Sequence, residues 1–262
     1  MAMKLTIQNG GFGYHDEYLF KNINFTVNDQ EVFAILGPNG IGKTTLLKCI
    51  MNMLPWKQGN AYLDKTDIST LPSKEFWKQV SYVPQAKSSA FNYLVRDMIM
   101  LGRSAHLPIF KEPGDADMEI TERAMETLGI SHLANRSCRT LSGGEMQLVL
   151  IARALATEPK ILIMDEPESN LDYHNQLMVL EKIHELSKSI SCIINTHYPE
   201  HALRISDKAL MFLGNGESIC GNTPEIITEQ HLRDAFRVNV MIGNVSDGTK
   251  THQYILPISI RK

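Results

Sequence analysis

Four cysteines in 262 residues, at positions 49, 138, 192 and 220, lie far apart, with no C-x-x-C pair and no metal-ligand spacing. Their scarcity excludes a disulfide-stapled scaffold or a thiolate metal centre and predicts reduced thiols in a cytosolic protein. No apolar run approaches the roughly 20 residues of a membrane span. Any membrane link is therefore expected to come through a partner. Met1-Ala2-Met3-Lys4 lacks the apolar core of a signal peptide. Lys and Arg total 26 against 29 Asp and Glu, a net charge of −3, so the basic surplus that marks a nucleic-acid binder is missing. Internal repeats and low-complexity linkers are also missing. What remains is ordinary globular composition, 43% hydrophobic and 21% charged. The length suits one large domain or two modest ones.

The most informative stretch begins with the apolar run Val32-Phe33-Ala34-Ile35-Leu36. It passes into Gly37, Pro38, Asn39, Gly40, Ile41, Gly42, Lys43, Thr44 and Thr45, then into Leu46-Leu47-Lys48-Cys49-Ile50. The pattern predicts strand, loop and helix. Gly37 to Thr44 fits G-x-x-x-x-G-K-[ST] at each fixed position. Glycines let the backbone turn its N–H groups toward phosphate oxygens. The helix start adds its dipole and free amides. Lys43 supplies a point charge for the outer phosphates, and the Thr44 hydroxyl can ligate Mg²⁺.

Several other stretches carry chemistry. Lys4 to Gln8 alternates as a strand, followed by a loop over Gly10 to Tyr14. The Tyr14 ring either packs in the core or stacks on adenine. A strand at Val80 to Val83 leads through Pro84 to Gln85, which is either a plain loop residue or one that reaches a metal or water. Residues 86–157 show no strand signal and predict helices. Among these, Met118, Thr121, Met125 and Leu128 share one face, and Gly129 is a stop.

Ser142-Gly143-Gly144-Glu145 reads as a capping box, with Ser142 the N-cap of an almost wholly apolar helix. Glycines inside a helix start cost stability. They suit close approach by another group, such as an anion at the helix tip, although an ordinary capped helix also fits. Ile161-Leu162-Ile163-Met164-Asp165-Glu166 is a buried-strand run ending in two acids. Asp165 is placed to hold Mg²⁺ and Glu166 to polarise water, because ligands bind beyond strand carboxyl ends in such sheets. A helix from about Tyr173 follows, carrying Leu177, Leu180 and Ile183. His197 ends the next strand, as a structural or a catalytic residue. Further on come a hairpin around Gly214-Asn215-Gly216, a helix with Thr223 as N-cap before Pro224, and a C-terminal hairpin expected to lie on the core.

Taken together, these motifs resemble the ATPase subunit of ATP-binding-cassette (ABC) transporters over essentially the whole chain. The likeness rests on Gly37–Thr45 (Walker A), Gln85 (Q-loop), Leu141–Gln147 (signature), Ile161–Glu166 (Walker B with its glutamate), Ser169–Asp172 (D-loop) and His197 (H-loop). It implies an α/β fold: a RecA-like P-loop NTPase core with an antiparallel β subdomain and an inserted α-helical subdomain. On that template the core covers 1–85 and 158–225, the helical subdomain 86–157, and a helix and hairpin extension 226–262.

The resemblance also implies ATP and Mg²⁺ as cofactors and a head-to-tail homodimer. One chain of each site would supply Tyr14, the Walker A residues, Gln85, Asp165, Glu166 and His197. The other would supply Ser142, Gly143 and Gly144, and Glu145 and Asp172 are further nucleotide-binding candidates. Thr44, Gln85 and Asp165 would serve the metal. The implied partners are integral membrane permease subunits and, indirectly, a periplasmic or extracellular binding protein, at the cytoplasmic face of the cell membrane, with no nucleic acid. The segment Phe91 to Leu107 looks like ATPases of importers for ferric siderophores, haem, cobalamin, and molybdate or tungstate. Ferric chelate is placed first among these. The alternative is a soluble ABC ATPase of an assembly pathway such as iron–sulfur cluster biogenesis. Glu145 departs from the frequent Gln, and Glu168 from a frequent small hydroxyl residue.

Overall fold

A computed structural model gives the structure of the chain and describes residues 3–15, 17–85, 92–108 and 111–261. The start of the helical stretch at Ala86 and residue Phe91 lie outside the described residues. The chain forms two compact units, one of residues Met1–Thr70 and Ile193–Lys262, the other of Leu71–Cys192.

The first unit opens with β1 (Leu5–Phe12), β2 (Phe20–Val27) and β3 (Val32–Leu36), then α1 (Lys43–Ile50), β4 (Gln58–Leu63) and β5 (Thr66–Asp67). An antiparallel sheet runs β2-β1-β4-β5. Gly10 to Phe12, expected as loop, belong to β1. The pairing of β1 with β2 shifts register on either side of Gly10, so the glycines absorb an irregularity inside the strand and do not end it. β3 is buried along its whole length, as its unbroken apolar run requires. Phe33 stacks on Phe25 at 4.5 Å between ring centroids. The buried Glu31 carboxylate accepts from the Asn28 amide at 2.6 Å and pairs with Lys208 at 2.6 Å, which fixes the chain as it enters β3.

The second unit holds α2 (Ser73–Trp77), β6 (Val80–Val83), α3 (Val95–Met100), α4 (Asp115–Leu128), α5 (Gly143–Leu155), β7 (Ile161–Asp165) and α6 (Tyr173–Leu186). β6 and β7 pair in parallel, Val80 with Ile161 through Val83 with Met164. α5 packs on α3, α4 and α6. Its residues Val149, Ile151 and Ala152 are fully buried, as the all-round apolar pattern demands. Gly129 caps α4 in the left-handed conformation. Thr121, Met125 and Leu128 are buried on the expected face, but Met118, one turn nearer the start, is exposed. The buried Arg103 guanidinium donates to Asp117 Oδ1 at 2.8 Å and to the Ala156 carbonyl at 2.8 Å, tying α4 to the end of α5. That bond, with a further one from the Gly114 amide, holds the Asp117 carboxyl below its ordinary range.

β8 (Ser191–Thr196) begins at the end of the second unit and continues in the first. It is followed by α7 (Pro199–Ile205), β9 (Lys208–Gly214), β10 (Glu217–Asn222), α8 (Thr223–Ile226), α9 (Glu229–Phe236), β11 (Val238–Ser246) and β12 (Thr251–Ile260). β3 pairs with β9 in parallel, and β9 turns into antiparallel β10 through Asn215 and Gly216, both left-handed. Thr223 is the first helical residue of α8. The N-cap is Asn222, one position before the expected one.

The C-terminal pair β11–β12 forms a two-stranded sheet of its own. Val240 is buried, but Met241, Val245, Tyr254, Leu256, Ile258 and Ile260 are exposed, so one face does not lie on the core as expected. Among the described residues no helix is long and apolar enough to cross a membrane.

Candidate active site

In the first unit the P-loop joins β3 to α1. Gly42, the N-cap of α1, has φ 114° and no side-chain cap, and the first turn holds no acid. A left-handed φ at this position favours glycine. The N-cap itself therefore offers no side chain to compete with an anion at the start of α1. Lys43 is buried, and its ammonium donates to the carbonyls of Gly37 at 2.8 Å and Pro38 at 3.1 Å. The cation is thus held inside the curve of the loop. The Thr44 side chain is exposed, and Thr45 is half-buried.

Two further candidates lie in the same unit. Tyr14 is 60% exposed, with its ring edge-on to Phe12 at 5.2 Å. That removes the core-packing alternative and leaves an accessible aromatic face. His197 follows β8 directly, half-buried, with its ring 4.0 Å from that of Tyr198.

In the second unit the buried Asp165 ends β7, and its Oδ2 accepts from the Tyr82 hydroxyl at 3.2 Å. Burial, and then the charge of Asp165, push the Tyr82 phenol up, so it stays a donor. Glu166 has φ 49°, an uncommon conformation for a residue with a Cβ, stored where the chain leaves the strand. Two donors converge on its Oε2: Ser169 Oγ at 2.9 Å and, at a long 3.4 Å, Gln85 Nε2. The structure therefore brings Gln85, Asp165, Glu166 and the Ser169 turn together. Tyr82 and Ser169 had not been read as partners of the acids. The spacing Glu166 to Ser169 is the local signal that could have found one of them, whereas Tyr82 meets Asp165 only through the pairing of β6 with β7.

The other cluster of the second unit surrounds the start of α5. Ser142 is the N-cap. Its Oγ accepts from the Glu145 amide at 3.2 Å, and Glu145 Oε2 accepts from the Ser142 amide at 2.7 Å. The capping box is complete, and Ser142 and Gly143 are exposed at the tip. The Ser142 amide bond is the main reason that the Glu145 carboxyl lies below its ordinary range.

Gly144 has a packing reason. A Cβ there would come within 2.1 Å of Asn175 Oδ1 and 2.9 Å of Asn175 Cβ. What approaches this backbone inside the chain is the first turn of α6. Asp172 is the N-cap of α6, its Oδ1 accepting from the Asn175 amide at 2.9 Å, so it fixes the turn that Gly144 accommodates.

Among the described residues no group of three or more His, Cys, Asp or Glu could hold a metal by itself. Mg²⁺ is commonly held by one or two protein groups together with substrate phosphates. Thr44 and Asp165 have the oxygen chemistry for it. Cys49 and Cys192 are buried and pushed up to about 12, hence protonated and not nucleophilic at neutral pH.

A P-loop with an uncapped helix start and a lysine folded into it, on an α/β fold, defines a P-loop nucleotide-binding ATPase. Residues 20–169 match the ABC transporter family model. The chain belongs to that family, and it is an ABC ATPase whose hydrolysis is coupled to transport. It is 40% identical over 238 residues to an uncharacterised ABC transporter ATP-binding protein of Haemophilus influenzae, covering 90% of each chain. It is 36% identical to the molybdate import ATP-binding protein MolC of the same organism, covering 91% of this chain and 90% of that one. Among solved structures, a chain of a transporter described as metal-chelate type, in an inward-facing conformation, superposes with a TM-score of 0.88 at 32% identity, covering 98% of both chains.

Proposed function

We propose that two copies of this chain bind ATP between them and so power uptake of a metal chelate or metal oxyanion through a membrane permease. The observation that carries this reading is that one chain presents two different anion-ready helix starts. One has no side-chain cap and a buried lysine at Gly37–Thr45, and the other is capped and exposed at Ser142 and Gly143. Neither resembles the other enough to be a duplicate, which suits complementary halves of a shared site.

In this reading Tyr14 stacks on adenine and the P-loop amides with Lys43 hold the outer phosphates. Thr44, Gln85 and Asp165 hold the cation. Bound Mg²⁺ supplies charge neutralisation between the phosphates. Glu166 orients the attacking water and takes its proton, with Ser169 and Gln85 fixing the carboxylate. His197 steadies the γ-phosphate. Ser142, Gly143 and Gly144 of the partner subunit donate to the same phosphate when the dimer closes, with Glu145 and Asp172 shaping that tip. Positioning and charge stabilisation supply most of the rate.

The cargo class is supported by the relatives named above. Ferric chelate remains the first candidate and molybdate stands beside it. The chain would work on the cytoplasmic face, bound to permease subunits that receive cargo from a binding protein. A cavity of about 380 Å³ in the second unit, lined by Trp77, Tyr82, Leu101, Ser104 and Arg153, is a candidate seat for a permease segment. A soluble assembly ATPase is not favoured. Recovery of the chain without any integral membrane partner from detergent-solubilised cells would revive it.

The test is Glu166→Gln. Hydrolysis is expected to fall by about 10²–10⁴-fold, the range for losing a general base, while an ATP-bound dimer accumulates. Wild-type turnover in this variant would remove Glu166 from its role. Mixing Ser142→Arg with Lys43→Ala chains would then leave one intact shared site per mixed dimer, and recovered activity would support sharing.

A further inference from the structure

The signature turn carries an acid, Glu145, in the first helical turn, where an incoming phosphate would be repelled. α1 has no acid in its own first turn. The capping box consumes one carboxylate oxygen of Glu145. The other accepts from Arg136 Nη1 at 3.1 Å, while Arg136 Nη2 donates to the Thr140 carbonyl at 2.8 Å. The guanidinium thus bridges the loop before the signature to the first turn of α5. Both partners are partly solvent-exposed, with side-chain exposures of 44% and 31%. A pair this exposed adds little to stability. Its lasting effect is on charge: with Arg136 in place, the helix tip carries no net negative charge.

We infer that Arg136 is a positioning residue for ATP-driven dimer closure, cancelling the Glu145 carboxylate so that the start of α5 can approach a nucleoside triphosphate held by another copy. The inference rests on the shared-site reading above. It assigns to Arg136 a role that acts through Glu145 and not through contact with nucleotide. Without Arg136 the tip gains one net negative charge facing a polyanion, and closure needs more ATP. The penalty then depends on the Glu145 charge and is screened by salt.

The experiment uses the purified full chain carrying Glu166→Gln, so that hydrolysis does not deplete the dimer. The ATP concentration for half-maximal dimer is read by light scattering. Adding Arg136→Gln is expected to raise that concentration about tenfold at low salt, with the deficit shrinking as salt rises past the point where the Debye length is about 10 Å. Adding Glu145→Gln as well is expected to restore the parent value within about twofold, since the repelling charge is gone. Arg136→Lys, which keeps the charge but not the bridge to Thr140, is expected to stay near the parent.

A deficit that survives Glu145→Gln, a deficit equal in Arg136→Lys and Arg136→Gln, or no deficit at all would overturn the proposal. Thermal unfolding of each variant separates misfolding from failed closure, and the rescue by Glu145→Gln cannot come from a merely structural arginine. If the Glu166→Gln parent itself forms no ATP-dependent dimer, the shared-site reading falls first and the role of Arg136 falls with it.

Discussion

The helix that follows the P-loop begins without a cap, whereas α5 begins with a complete one. At α1 the N-cap is a left-handed glycine with no side chain to accept from the first amides, and the buried Lys43 folds back onto the loop carbonyls. At α5 Ser142 and Glu145 satisfy each other's amides, and the nearest cation, Arg136, is spent on Glu145. The first start has neither an N-cap side chain nor an acid in its first turn, which suits an anion. The second satisfies itself in the folded chain, so its attraction for phosphate is weaker and needs help from geometry. That asymmetry would suit the shared nucleotide site proposed above.

The contrast is broken most severely at its charged end. Lys43→Ala removes the only cation that the P-loop folds over among its described residues. ATP hydrolysis should fall by about 10²-fold or more, measured by phosphate release. Near-normal turnover would show that the loop amides suffice. A smaller effect is expected at the other tip. Gly144→Ala drives a Cβ into Asn175, whose own Cβ is 2.9 Å away, so rotating the amide does not relieve the clash. The start of α6 must shift, at a cost of about 1–3 kcal/mol in unfolding free energy, read by denaturant titration. An unchanged midpoint would mean that the contact yields freely.

The mildest effect sharpens the comparison through pH. The Glu145 carboxyl is held below its ordinary value of 4.5, first by the Ser142 amide. A depressed acid stabilises the fold above its unfolded value and loses that contribution as pH falls through the folded one. The stability gap between wild type and Glu145→Gln should therefore be constant near neutrality and close at pH below about 4.5. A gap that widens on acidification would contradict the cap.

Much of the site was legible because its chemistry is local. Ser142 and Glu145 lie three residues apart, which is the reach of a capping box. Gly129 and the Asn215-Gly216 turn likewise announce themselves by residue type. Other features were not legible. The contact of Tyr82 with Asp165 depends on which strands pair, and Arg136 reaches Glu145 across a loop whose course no periodicity predicts. Gly10 to Phe12 looked like loop because glycine usually ends a strand; only the register shift against β2 keeps them in it. Met118 shares the helical face of Thr121 and Met125 yet is exposed, because no described residue of the second unit buries it.

The sequence alone determined the phosphate loop, the capped helix, the acids at the end of a buried strand and, through them, the family, because each is a short-range arrangement with few chemical alternatives. Only the tertiary structure decided that Gly144 makes room for Asn175 and that Glu166 is pinned by Ser169 and Gln85. It alone placed an arginine against the acid of the signature turn. These depend on which elements pack together, and packing is settled by shape over distances that no local pattern spans.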